Sequence, residues 1–239
     1  MHVHLPKPLH GWREFFGEVG IIVIGVLIAL GAEQLIENWH WSHKSEQALA
    51  GIEQELSLDA GVYEERSLVQ HCADRRLAQL DGILRAARRT GTLPSIGEIG
   101  RPPSRPTLRT GWDQAIASGV LSHINQHRQE SLSPLYAEAS DYDNHVRDEQ
   151  RGWATLRMME AAPGKTSEVI LADLSRTVAE LRFTSYFNGL IARQELGYIQ
   201  AERVRPRYDL IFDKPGTRAE LLQLVRDRSL CKPLVVDGG

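Results

Sequence analysis

The side chains best suited to chemistry fall into a few groups. His123 and His127 are four residues apart, and Glu130 follows three further on. On one helix they would share a face and could offer two imidazoles and a carboxylate to a metal ion. The set lacks the internal Glu of the HExxH zinc-protease motif. Asn125 is also a natural N-cap, which would start a helix between the two histidines and break the geometry. A polar helix start is the plainer account. His40 and His43 lie among Trp39 and Trp41; an interfacial position explains them, although both would titrate if their compartment acidified. Arg75, Arg76, Arg85, Arg88 and Arg89, followed by Arg101, Arg105 and Arg109, make a basic region opposed only by Asp74, Asp81 and Glu98. Such a region suits an anionic partner, either headgroups or an acidic protein, but equally describes a solvated face and a charged loop. The two cysteines, Cys72 and Cys231, form no CxxC, so no thiolate cluster is available. In an oxidising compartment they could form one bridge. Two separate thiols, packed as small apolar groups, are the default expectation.

No G-x-S-x-G, P-loop or Rossmann glycine set is present, so no enzyme, catalytic residue, cofactor or resident metal is expected. The net charge of −3 argues against a nucleic-acid partner.

The element that would position these groups is a membrane helix. Residues 19–32 are uncharged but short, about 21 Å as a helix. Phe15 and Phe16 before them and Leu35 and Ile36 after them extend the apolar run to roughly 33 Å, the thickness of a hydrocarbon core. Trp12 on one side and Trp39 and Trp41 on the other sit where interfacial aromatics belong. Glu18 and Glu33 fall near the two boundaries. Lys7 and Arg13 precede the run, with His2, His4 and His10 beside them; Glu33 and Glu37 follow it, which places the leader in the cytoplasm and the remainder outside. In a Gram-negative cell the outside is the periplasm, and the membrane is the inner one. A cleaved signal peptide competes through Ala29-Leu30-Gly31, yet the apolar surface runs on past that point to Trp39. Gly25, Ala29 and Ala32 share one face with Glu18, a pattern that lets membrane helices approach closely; it also fits the general abundance of Gly and Ala in such helices.

The stretches Gly17-Glu18-Val19, Val23-Ile24-Gly25-Val26-Leu27-Ile28-Ala29-Leu30 and Asn38-Trp39 together resemble the opening of an uncharacterised family of bacterial single-pass membrane proteins. A weaker similarity covers residues 112–136. The sequence departs from that family at Gly31-Ala32-Glu33, where larger polar and aliphatic residues are usual. The resemblance implies an anchored helical domain and carries no activity with it.

Beyond the anchor, Leu49, Ile52, Leu56, Tyr63, Val69, Ala73, Leu77, Leu80 and Leu84 step by threes, fours and multiples of them, which predicts a long amphipathic helix. No turn cluster separates it from the membrane run, and Thr90-Gly91 ends it. Residues 91–110 contain Pro94, Pro102, Pro103 and Pro106 and read as a surface loop or extended arm. A short helix is expected from Trp112 to Ser118, stopped by Gly119. The next, capped by Asn125 and disturbed by Pro134, should run through Met159. Asp173 is expected to cap a third helix beginning at Leu174, with Pro206 kinking its end, and a last one covers residues 218–228.

The resulting fold class is all-α: a single N-terminal transmembrane helix followed by an antiparallel helical bundle. Its parts are a cytoplasmic leader (1–14), the membrane helix (15–36), a helical extracytoplasmic domain (37–233) and a loose tail (234–239). The expected function is that of a non-enzymatic interaction or scaffold module of the envelope. Its partners would be the lipid bilayer and a membrane or envelope protein, a second copy of itself included. A ligand-sensing bundle acting through a partner protein is the alternative, with a membrane-bound metal protein or enzyme behind it.

Overall fold

The computed structural model describes residues 11–161 and 163–236, without the side chain of Glu14. The leader residues His2, His4, Lys7 and His10, and the tail beyond 236, lie outside the described residues.

One helix dominates. α1 (Trp12–Thr90) runs unbroken for 79 residues, about 120 Å, and Gly91 closes it in the left-handed region at φ 68° with its N–H donating to the Ala87 carbonyl. The remaining elements are β1 (Thr92–Leu93), α2 (Thr110–Ala117), α3 (Gln126–Leu156), α4 (Met158–Ala161), β2 (Gly164–Lys165), α5 (Glu168–Ala201), α6 (Asp209–Phe212) and α7 (Arg218–Asp227), with 3-10 turns at Val120–His123 and Ser229–Cys231. The protein is all-α; β1 and β2 form only a two-residue antiparallel pair.

Some helix ends follow local chemistry, and others differ from expectation. Asn125 caps α3, accepting from the His127 N–H, and α3 continues through Pro134. It stops at Leu156, so Met159 belongs to α4. α5 starts six residues before the expected Leu174: Ser167, not Asp173, caps it, accepting from the Ile170 N–H. α5 also ends at Ala201, ahead of Pro206. α7 opens with a capping box between Thr217 and Glu220.

The packing is not a simple up-and-down array. α1 and α3 are parallel: Glu53 pairs with Arg128, and higher up Arg66 pairs with Glu149. α5 opposes both, because Arg128 also meets Glu202, Arg66 reaches Ser185, Asp81 meets Arg182 and Arg88 meets Glu168. The chain must therefore return the length of the helical body between α1 and α3. Residues 91–110 make that return as an extended segment packed against the body, where a surface loop or an extended arm was expected. Leu93, Ile96 and Ile99 are buried in the core. Below them Arg105 pairs with Glu65, the Leu108 N–H donates to Asp59, and the Gly111 N–H donates to Glu55. The prolines keep this strap extended and remove backbone donors that lateral packing would leave unpaired.

The C-terminal segment climbs α1 on another side. The Arg207 N–H donates to the Ser57 carbonyl, Tyr208 and Arg218 both donate to Glu64, and Arg228 pairs with Glu65. Cys231 is bonded to Cys72, so the expectation of two separate thiols is overturned. Leu234–Val236 is not loose either: the Gly97 N–H donates to the Val235 carbonyl, and Val236 bridges Ile96. Wrapped this way, α1 is buried on every side from Asp59 to Arg66. Gly61 permits the closest approach, since a β-carbon there would stand 1.9 Å from the Arg207 carbonyl oxygen.

Candidate functional site

The apolar stretch of α1 is the first candidate. It satisfies the length and hydropathy of a membrane-crossing helix and has no protein packed over it. Trp12 and Trp39 are exposed at its ends. Glu18, Gly25, Ala29 and Ala32 lie on it with open surroundings; a β-carbon at Gly25 would meet nothing within 4 Å. Trp41 differs. It is partly covered, because His123 stacks on it at 3.9 Å between ring centres, with Lys44 on the ring at 5.2 Å. His123 is thus an aromatic contact of α1, placed before the start of α3, while His127 lies within it. Among the described residues no three His, Cys, Asp or Glu side chains are grouped to hold a metal ion.

The basic region does not stay together. Arg76 is 1% exposed, and its guanidinium donates to the carbonyls of Glu98, Ser229, Leu230 and Lys232. It clamps the strap and the C-terminal turn next to the disulfide and is not part of a solvated face. Arg75, Arg85, Arg88 and Arg89 are exposed, but Arg85 pairs with Asp81 and Arg88 with Glu168. A different arginine grouping appears instead. Arg101, Arg105, Arg147 and Arg151 line a pocket of about 370 Å³ beside Asp143. Arg105 pairs with Glu65, which it shares with Arg228, and Arg151 pairs with Asp148. Arg101 and Arg147 bond to the neutral side chains of Gln150 and Asn144, and the Asp143 carboxylate lines the same pocket.

Halfway along the body the apolar core is split by a polar layer. One cluster gathers Val69 to Ala87 of α1 with Trp153 and the first half of α5; the other gathers Ile52 to Tyr63 with α3 and the second half of α5. Between them Arg66 meets Glu149 at 3.1 Å, both 1% exposed. Gln70 accepts from Arg66, Ser185 offers its carbonyl to it, and Asn188 and the Trp153 indole donate to Glu149. The layer is largely satisfied, which is the condition for burying a charge pair. Its members occupy core positions of the repeat. On α1 the buried stripe reads Ile52, Leu56, Asp59, Tyr63, Arg66, Gln70, Ala73, Leu77, Leu80, Leu84, Ala87, and on α5 Ser185, Asn188 and Glu195 fall on the corresponding stripe. A charged residue at a three–four step between apolar neighbours was a readable signal for this layer.

A group of carboxylates holds the strap. Glu55, Asp59 and Asp143 accept from the amides of Gly111, Leu108 and Thr107 respectively. Burial pushes the Asp59 carboxyl up to about 8, opposed by the Leu108 N–H and reinforced by Glu55 and Asp143. Burial also pushes Glu195 up to about 7, with Glu138 adding to it. Between the ordinary carboxylate range and about pH 8, the folded chain holds a proton on Asp59 that the unfolded chain has released. Stability is therefore intact below the unfolded value and falls as pH rises through this window. Asp59→Asn keeps an acceptor for Leu108 and removes the ionisation. Its stability should match the wild type near about pH 4 and exceed it by about 1 kcal/mol or more near about pH 9. Parallel melting curves of the two proteins across this range would show the coupling to be absent.

An apolar groove of about 900 Å³ runs along the far end of α1, between Gly82, Ile83 and Ala86 on one wall and Pro94, Leu234 and Val236 on the other.

No protein-family model, no curated protein and no solved structure matches this chain.

Proposed function

We propose that this chain is a membrane-anchored, non-enzymatic interaction or scaffold module of the bacterial envelope. Residues 15–36 span the inner membrane, the N-terminus is cytoplasmic, and the helical body stands in the periplasm. The observation that carries the proposal is the continuity of α1. One helix passes without a break from an apolar stretch with no protein packed over it into a stretch packed on all sides. An anchor so joined transmits position and tilt to the body, which suits a scaffold. Three further features support it. A Cys72–Cys231 bond is stable outside the cytoplasm. The apolar groove at the far end of the body is exposed. The sequence resembles an uncharacterised family of single-pass bacterial membrane proteins. The partner is a membrane or envelope protein or a second copy of the chain, met in part through Gly25 and Ala29.

The test joins topology to assembly. Alkaline phosphatase fused after Gly239 should be active, and the intact mass should retain residues 1–32. Gly25→Ile with Ala29→Ile should lower association in the membrane at least about fivefold, whereas Val23→Leu should not. An inactive fusion defeats the periplasmic placement of the body, and a mature chain beginning near Ala32 defeats the anchor. Unchanged association of the double Ile variant defeats the contact face alone.

A further inference from the structure

We propose that the corner formed by α2 and the 3-10 turn Val120–His123 is a second membrane contact, a foot resting in the phospholipid headgroup layer. The inference depends on residues 15–36 being the membrane span.

Because α1 is unbroken, it serves as a ruler with about 1.5 Å per residue. With Ile36 at the hydrocarbon boundary, Trp41 stands about 8 Å above it. A bilayer is about 40–45 Å thick with its headgroups and about 30 Å without them, so each headgroup layer is roughly 5–8 Å deep. Trp41 is at the outer edge of that layer. His123 lies flat on Trp41, with ring centres 3.9 Å apart and planes within 7°. The His123 ring, at the end of the turn, is thereby brought to the same height.

The chain descends to reach this point. The amide of Gly111, at the start of α2, donates to Glu55, about 28 Å above the boundary. Between Gly111 and His123 the chain thus drops about 20 Å toward the membrane. The neighbouring ends of α3 and α5 do not follow, since Arg128 and Glu202 meet at the level of Glu53, about 25 Å up. The corner is held in place from inside: Val120 and Ile124 are buried, and Gly119 makes the turn at φ 74°.

Its outer surface has the chemistry of a headgroup contact. Ile116 is 52% exposed, and Ser118, Ser122 and His123 are exposed beside it. Residues 114–129 contain no Asp or Glu, in a chain with 31 of them. Lys44 and Trp39 of α1 stand at the same level; the nearest acids on that helix are Glu37, which accepts from the Trp41 indole, and Glu46. An exposed Ile116 and hydroxyls on a corner with no carboxylate of its own, beside the Lys44 ammonium, suit an anionic phospholipid surface. A single spanning helix leaves the body free to tilt and to rotate about its axis. A foot on one side gives it a preferred direction relative to the membrane plane.

The experiment uses the full chain in phosphatidylethanolamine–phosphatidylglycerol nanodiscs carrying a small fraction of phospholipid with a diazirine in its headgroup. After illumination, lipid adducts are mapped by mass spectrometry. Adducts are expected on residues 12–44 and again on residues 114–124, the latter at least about fivefold above residues 92–97 at the far end of the body. Ile116→Asp with Ser122→Asp should remove the second set and leave the first. Adducts on 12–44 with none on 114–124 overturn the foot and leave the anchor standing. Absence of adducts on 12–44 overturns the anchor and the foot with it.

Discussion

Glu149→Leu is expected to destabilise the fold by about 3–5 kcal/mol, because it leaves the Arg66 guanidinium buried without its counter-charge. Gln70 and the Ser185 carbonyl would remain as acceptors, but both are neutral. Arg66→Met, the reciprocal change, strands the carboxylate between Asn188 and the Trp153 indole and should cost a similar amount. The double variant should recover more than half of either loss, since two apolar side chains of suitable volume fit a core that is apolar above and below. Denaturant melts of all four proteins in detergent give the coupling energy directly. If either single variant lies within about 1 kcal/mol of the wild type, the layer does not carry the load assigned to it. The pair also has a bearing on register. The α1 and α5 stripes repeat with the same three–four spacing, so a slip of one heptad would still match apolar residues along much of their length. Such a slip would carry Ser185 away from Arg66 and Asn188 away from Glu149. Unlike the apolar contacts, the polar layer distinguishes the native alignment from its shifted neighbours.

Reduction of the Cys72–Cys231 bond, or Cys231→Ser, should produce the second large effect. The bond joins residues 159 apart. In the chain-entropy account a loop of that size removes about 5 kcal/mol from the unfolded state. The loss should also be local. Arg76 donates to three carbonyls within Ser229–Lys232, so freeing Cys231 loosens the segment that satisfies a buried guanidinium. Hydrogen exchange should accelerate first in residues 209–236 and in the strap around Ile96 and Gly97, which the tail pairs with. Thermal melts with and without reductant measure the global loss, and exchange mass spectrometry measures its distribution. Equal melting temperatures for the oxidised and reduced chains would show that the C-terminal segment is held by its other contacts alone.

Much of α1 was legible because its signals are local. An apolar run with interfacial tryptophans, and then Leu49 to Leu84 at helical spacing, are patterns that each short window of the chain carries by itself. The Asn125 cap and the Gly91 stop are legible for the same reason. The start of α5 was less so. Asp173 looked like a cap, yet Ser167 lies just ahead of Glu168-Val169-Ile170, where the first turn gains a local acid and the helix can begin earlier. The polar layer was partly legible. Arg66 and Asp59 fall on the core stripe of α1, but a charge within the run Glu64-Glu65-Arg66 reads as a solvated face until it is known that α1 is enclosed on all sides.

What the sequence determined unaided is therefore the all-α class, the apolar stretch near its start and the position of most helices, since these depend on interactions within a few residues or on transfer of one segment between solvents. The tertiary structure decided the rest. It set α3 parallel to α1, and that in turn made residues 91–110 a packed return strap. It brought Arg66 to Glu149 across 83 residues, Cys72 to Cys231 across 159, and His123 onto Trp41. Each of these is a meeting of faces distant in the chain. Which faces meet depends on the best joint packing of all the elements, and no single segment's periodicity contains that information.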